Sequence, residues 1–238
     1  MRTPIKRNHL FIPSRYEDIF EKKALERYQR RNRKRLTNHG FTIMANSCIG
    51  AQVYRDLNLR FDTPFVGSYM TPEDFVVFMS NPKYWVDQEI IEEHTKATCP
   101  VGLIGGKLRI FFVSDKSFED GVTKWKYRKE RIHWDNLFVM FNPLEQDFEI
   151  NSNYSKHMCS TETIHKFVNL NLKNYVVITN VKEHILNNSC ILLKRYINYK
   201  YPPYIGIISV ISGKRIFDRY FDVVHWLNTN DIILRRSL

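Results

Sequence analysis

At 238 residues, with 43% hydrophobic and 14% aromatic residues, the chain has ample apolar content for a packed core, which excludes a disordered protein. Its four cysteines (Cys48, Cys99, Cys159 and Cys190) stand far apart with no C-x-x-C pair, so neither a zinc site nor a disulfide framework is indicated and a reduced, cytoplasmic setting is expected. The net charge of +11 is uneven: Met1–Asn38 holds twelve Lys or Arg against four Asp or Glu, a net of +8, which leaves the body near balance and argues against a nucleic-acid partner.

The N-terminus, MRTPIKRNHLFIPSR, lacks the apolar core of a secretory signal, and no later apolar run approaches a membrane span. Ser14 is placed to cap a helix running to about Leu36, with Glu17 in its first turn and basic residues towards its end. Tyr16, Ile19, Phe20 and Tyr28 form a modest apolar stripe, while Arg27, Arg30, Arg31, Arg33, Lys34 and Arg35 form a charge run. Such a helix suits either peripheral contact with an anionic membrane or packing on the body with its charges in water. Residues 1–38 are thus read as a basic N-terminal helix or arm, and 39–238 as the α/β domain.

Phe41–Ala45 reads as a buried strand, followed by Asn46 and Ser47 as helix-capping residues and by Val53, Tyr54 and Leu57 at helical spacing. In an open α/β sheet this strand-turn-helix unit is where ligands meet free N–H groups. Asn46, Ser47 and Gly50 are accordingly candidate substrate-binding residues. Pro64–Tyr69 predicts a short strand, and Thr71-Pro72-Glu73-Asp74 a helix start that ends at Asn81-Pro82. Pro100–Val113 predicts a hairpin through Gly105-Gly106, which makes the sheet mixed and sets the chain apart from a standard Rossmann fold. Ser117 caps a helix to about Ile132, and Leu137–Phe141 is a strand. Beyond a polar stretch at Asn151–Lys156, where two lobes would divide near 142–156, the sequence predicts a helix at Thr161–Val168 and a strand at Tyr175–Thr179. A helix follows at Val181–Leu186, strands at Cys190–Tyr196 and Ile205–Ile211, and a closing helix over Lys214–Asn228. The expected fold is a layered α/β/α domain with a mixed, mostly parallel sheet.

The helix FEDGVTKWKYRKERI places Phe118, Val122, Trp125 and Ile132 on a buried seam, with Lys124, Arg128 and Arg131 at i, i+4 and i+7 beside it. Arginine forks at the edge of a buried face suit phosphate or carboxylate, although a solvated helix face has the same pattern. Cys48, at a strand-to-helix turn, is a candidate nucleophile if His133 or another histidine reaches it; a small buried cysteine is the plain alternative. No P-loop, dinucleotide fingerprint, Ca²⁺ loop or D-x-D pattern is present, so neither a metal nor a cofactor is predicted.

Trp125-x-x-Arg128-x-x-Arg131 followed by Asn136 and Leu137–Phe141 resembles a bacterial family of exopolysaccharide biosynthesis proteins of undefined molecular function. The turn Asn46-Ser47-Cys48-Ile49-Gly50, the stretch Tyr69–Phe78 and, more faintly, Phe221–Asn228 share the resemblance. That family carries a His-Tyr pair just after the second hairpin strand, where this chain has Ser114 and Asp115. The resemblance implies an α/β layered fold and a role near capsule or exopolysaccharide assembly. On this reading Asn46, Ser47, Gly50, Lys124, Arg128, Arg131 and Asn136 hold a phosphorylated or nucleotide-linked sugar, and Asp115 serves as the general base of a transferase-type site. The other class of function is a non-enzymatic accessory protein that docks on a membrane or partner through its basic helix.

Overall fold

Among the described residues of the computed structural model (14–146, 148, 157–197 and 214–235), the chain begins with α1 (Ser14–Arg35), β1 (Thr42–Ala45) and α2 (Ile49–Leu57). There follow β2 (Tyr69–Met70), α3 (Pro72–Ser80), α4 (Pro82–Asp87), β3 (Ile90–Glu92), and the hairpin of β4 (Val101–Ile104) and β5 (Leu108–Phe111). Next come α5 (Phe118–Lys129), β6 (Leu137–Phe141), β7 (Leu144–Glu145), β8 (His157–Met158) and α6 (Thr161–Val168). The described chain closes with β9 (Tyr175–Thr179), β10 (Cys190–Leu192) and α7 (Val223–Thr229).

The central sheet has the order β1-β6-β9-β10, with every neighbouring pair parallel. Its strands are apolar on both faces, as parallel strands covered on both sides must be. The two-residue alternation sorts them: Ile43, Phe138, Met140, Val176 and Ile178 join the core with α2 and α7, where Val53, Tyr54 and Trp226 meet them. Met44, Val139, Phe141 and Val177 join the opposite core, with Phe75 and Phe78 of α3, Trp125 of α5 and Phe167 of α6. The layered α/β architecture expected from the sequence is therefore present.

The hairpin belongs to a second sheet, β2-β5-β4-β3, which is antiparallel throughout, so the mixed character is divided between two sheets. Gly105 and Gly106 turn the hairpin with φ of 58° and 68°, a region that favours glycine. The two sheets touch where Met70 N–H donates to the Asn46 carbonyl at 3.0 Å.

Several segments depart from the sequence expectation. The strand expected at Pro64–Tyr69 shrinks to β2, because Gly67 at φ 80° breaks the extended path. Asn81-Pro82 ends α3 but also starts α4, where the Asn81 side chain accepts from Tyr84 N–H at 3.4 Å. The helix expected at Val181–Leu186 is a single 3-10 turn, Lys182–His184, held by the buried His184 ring against Thr179 at 3.0 Å. The strand expected over Cys190–Tyr196 stops at Leu192, followed by the 3-10 turn Lys194–Tyr196. The closing helix is broken into the 3-10 turn Phe217–Arg219, which ends at Tyr220, and α7, which Asp222 starts afresh by accepting from His225 N–H at 3.1 Å. The strand expected at Ile205–Ile211 and the lobe boundary at Asn151–Lys156 lie outside the described residues.

Candidate functional site

Asn46 is fully buried and knits the ends of two strands: its Oδ1 accepts from Asn142 N–H and its Nδ2 donates to the Asn142 carbonyl, both at 2.9 Å. It caps no helix. Cys48 stands at the N-cap of α2 and provides no side-chain cap, so the capping expected of Asn46 and Ser47 is corrected. Ser47 is buried, and its Oγ has no partner among the described residues. At Gly50 an added Cβ would lie 3.1 Å from Ala45 Cβ and 3.2 Å from Ile43 Cγ2, so this glycine lets α2 press against β1.

The predicted basic stripe on α5 is engaged with the protein. Lys124 Nζ meets Asp115 Oδ1 at 2.5 Å. Arg128 donates from Nη1 to the Val66 carbonyl at 2.9 Å, with its guanidinium 5.6 Å from the Phe61 ring. Burial lowers the proton affinity of Arg128, and the Asp115 charge opposes that. Arg131 donates from Nη2 to the Phe61 carbonyl at 2.7 Å, and its Nε lies 3.3 Å from Asp62. Asp115, Lys124 and Arg128 thus come together; Arg128 and Arg131 staple the 61–67 loop to α5, and Ser114 N–H donates to the Gly67 carbonyl at 2.9 Å. The Asn46 carbonyl meets β2, the strand that follows this loop, at Met70.

Asn136 does not share that end of the sheet. It donates from Nδ2 to Asn38 Oδ1 at 3.0 Å and to the Gly40 carbonyl at 2.7 Å, ahead of β1, whereas Asn46 follows β1. His133 is also at the leading end, its N–H donating to Thr42 Oγ1 at 2.8 Å and its ring 3.4 Å from Asp62. Cys48 and His133 therefore stand beyond opposite ends of one strand, and the nucleophile pair considered from sequence is not assembled by these two residues.

A polar cavity of about 450 Å³ lies between α1 and the C-terminal segment. From α1 come Arg27, Arg31 and Arg35, at four-residue spacing on one face, with Tyr28 and Asn32 beside them. The facing wall carries Lys214, Asp218, Asp222 and Arg235. Both acids are already engaged. Asp222 Oδ2 accepts from Arg35 Nη2 at 2.5 Å and from Arg235 Nη2 at 2.8 Å. Burial alone would raise its pKa, but the bonds from Arg35, His225 N–H and Arg235 outweigh it and bring Asp222 down to about 2. Asp218 is fully buried, accepts from Val223 N–H and Arg235 Nη1, each at 3.2 Å, and bonds Tyr28; burial pushes it up to about 6. Lys214 is pushed down by burial and by its like-charged neighbours Arg235 and Arg31. Among the described residues, no carboxylate pairs with Arg27 or Arg31, both of which reach solvent.

The helix roofing this cavity is fixed in place. Tyr28, Asn32 and Leu36 are buried, Gln29 Nε2 donates to Asp56 Oδ1 at 3.1 Å, and Arg33 Nε donates to the Asp56 carbonyl at 3.2 Å. At its end Asn228 donates from Nδ2 to the Arg35 carbonyl at 2.8 Å and accepts from Thr37 N–H at 2.9 Å. The sequence signal for one wall was the i, i+4, i+8 run of arginines. The other wall has no local pattern, because its residues are spread over a turn, a helix cap and a terminal stretch.

Among the described residues no cluster of three or more His, Cys, Asp or Glu could hold a metal, and no helix is long and apolar enough to cross a membrane. Fold and site together define a layered α/β protein with an arginine-rich cavity under α1. The chain belongs to the DUF1919 family, described as a domain of unknown function, whose model matches residues 19–228. It is 30% identical over 195 residues to an uncharacterized protein of Haemophilus influenzae, covering 82% of this chain and 87% of that one. The family match begins inside α1 and ends inside α7, so both walls fall within it except for Arg235.

Proposed function

We propose that the protein binds a phosphorylated or nucleotide-linked sugar in the cavity beneath α1, as a component of cytoplasmic surface-polysaccharide assembly. The observation that carries this reading is the imbalance of the cavity: among the described residues Arg27 and Arg31 face it without an acidic partner, while Asp218 and Asp222 are already held by Arg35 and Arg235. A bound anion would relieve the mutual repulsion of the surplus cations, and guanidinium groups match phosphate oxygens in geometry as well as charge. The polysaccharide setting comes from the resemblance carried by the Asn46–Gly50 turn and by Trp125, Arg128 and Arg131. Group transfer with Asp115 as base would first require the Lys124 contact to open, so binding is the part of the reading best supported by geometry.

Titration calorimetry with UDP-glucose and glucose 1-phosphate tests the reading. At least one should bind, more weakly as salt rises, and the Arg27→Ala/Arg31→Ala double variant should lose at least tenfold in affinity. Affinity unchanged in that variant would place any anion site elsewhere.

A further inference from the structure

The cavity's cations enter from three separate stretches of chain: Arg31 from α1, Lys214 from the start of the C-terminal segment, and Arg235 from its end. They influence one another directly, since Arg235 and Arg31 both depress the proton affinity of Lys214. Asn32 adds a neutral donor: it is only 3% exposed, its Oδ1 accepts from Arg35 at 3.5 Å, and its Nδ2 has no acceptor among the described residues. From these observations we infer that the ligand is a phosphomonoester, its terminal phosphoryl group seated between Arg31 and Lys214 on opposite walls, with the Asn32 amide as a further donor and Arg235, itself bonded to Asp218 and Asp222, adding its charge nearby. This inference rests on the reading of the cavity as an anion site and narrows it to sugar phosphates over nucleotide-sugars.

The chemistry separates the two classes. A phosphomonoester concentrates a charge of about −1.5 to −2 at neutral pH on one group with three terminal oxygens, which suits cations converging from several directions. Each phosphorus in a nucleotide-sugar is substituted on two sides, so each presents two terminal oxygens and a single charge, with chain leaving both ways. Such a linear anion suits cations in a row. Along α1 that row is only Arg27 and Arg31, because Arg35 is held by Asp222, as Arg235 is on the facing wall.

Calorimetry on the full chain with glucose 1-phosphate, UDP-glucose and inorganic phosphate decides the matter, because the first two carry the same sugar. Glucose 1-phosphate should bind at least tenfold more tightly than UDP-glucose, inorganic phosphate should compete with it, and Arg31→Gln should weaken it at least tenfold. Arg31 is solvent-exposed, so the variant should unfold at the same temperature as the parent. Lys214→Gln should have the same effect on binding. UDP-glucose binding as tightly or more tightly, and still sensitive to Arg31→Gln, would overturn the monoester inference and leave the anion site standing. No binding of any of the three, or binding indifferent to both substitutions, would overturn the inference and the cavity reading together.

Discussion

Asp56 and Arg215 form a two-pronged ion pair, Nε to Oδ2 and Nη2 to Oδ1, each at 2.7 Å, with side-chain exposures of 4% and 11%. The pair fastens α2 to the C-terminal segment beneath α1. Removing one partner would strand a buried charge, so Asp56→Ala or Arg215→Ala is each expected to cost about 3–5 kcal/mol in urea denaturation. The double variant should cost less than the sum of the two, because neither charge is then left alone. Single variants losing under about 1 kcal/mol would mean that water reaches the pair.

The two cavity acids set opposite pH dependences. Asp218 holds its proton more tightly folded than unfolded, so its contribution to stability is full below about pH 4 and fades as pH rises through about 6. Asp222 is depressed, so its contribution is present above about pH 4 and is lost as pH falls towards 2. Asp218→Asn should therefore remove the decline between about pH 4 and 6 without altering the acid limb. An anion bound nearby would raise the proton affinity of Asp218 further, so binding near pH 7 should take up protons. Calorimetric enthalpies in PIPES and Tris would then differ; identical enthalpies would show that ligand and Asp218 are uncoupled.

Trp125 and Arg128 lie one helical turn apart and differ in what they hold. Trp125 is 2% exposed, packs edge-on to Phe65 at 5.2 Å and donates from Nε1 to the Val86 carbonyl at 3.3 Å. Trp125→Ala should cost about 3–5 kcal/mol. Arg128→Ala removes one hydrogen bond to a loop carbonyl and should cost about 1 kcal/mol. A reversed order in chemical denaturation would make Arg128, rather than Trp125, the main anchor of the 61–67 loop.

Gly121 in α5 has no room for a methyl group. An added Cβ would fall 2.5 Å from Phe112 Cγ and 2.6 Å from its Cδ1. Helix propensity favours alanine by about 1 kcal/mol, but overpacking against a buried ring costs about 1–3 kcal/mol. Gly121→Ala should therefore be net destabilising by thermal unfolding, and a raised melting temperature would show that Phe112 can move aside.

Local signals carried much of the fold. Thr71 and Ser117 cap α3 and α5 as their sequence context requires, and β6, β9 and α6 have the expected bounds. What sequence did not carry depends on contacts between distant residues. The hairpin was recognisable, but its membership of a separate sheet depends on Tyr69 and Met70 pairing with Phe111 and Ile110. The conventional mouth after β1 attracted attention because strand-turn-helix units are locally visible, yet Asn46 there is satisfied by Asn142, 96 residues away. The arginine face of α1 was visible only as a charge run. Its meaning depends on Asp218, Asp222 and Arg235, which no spacing rule links to it.

Asn228 and Arg35 are 193 residues apart in sequence, and Arg35 and Asp222 are 187 apart. A ribosome must therefore release nearly all of this chain before the cavity can exist. Closing so long a loop is also entropically slow relative to forming the sheet or the hairpin. A truncated or stalled product would own the arginines of α1 but not the wall that gathers them. Ligand capture would thus report that synthesis had passed Arg235, and the ligand, by clasping α1 to the 214–235 segment, would lock a contact between stretches far apart in sequence.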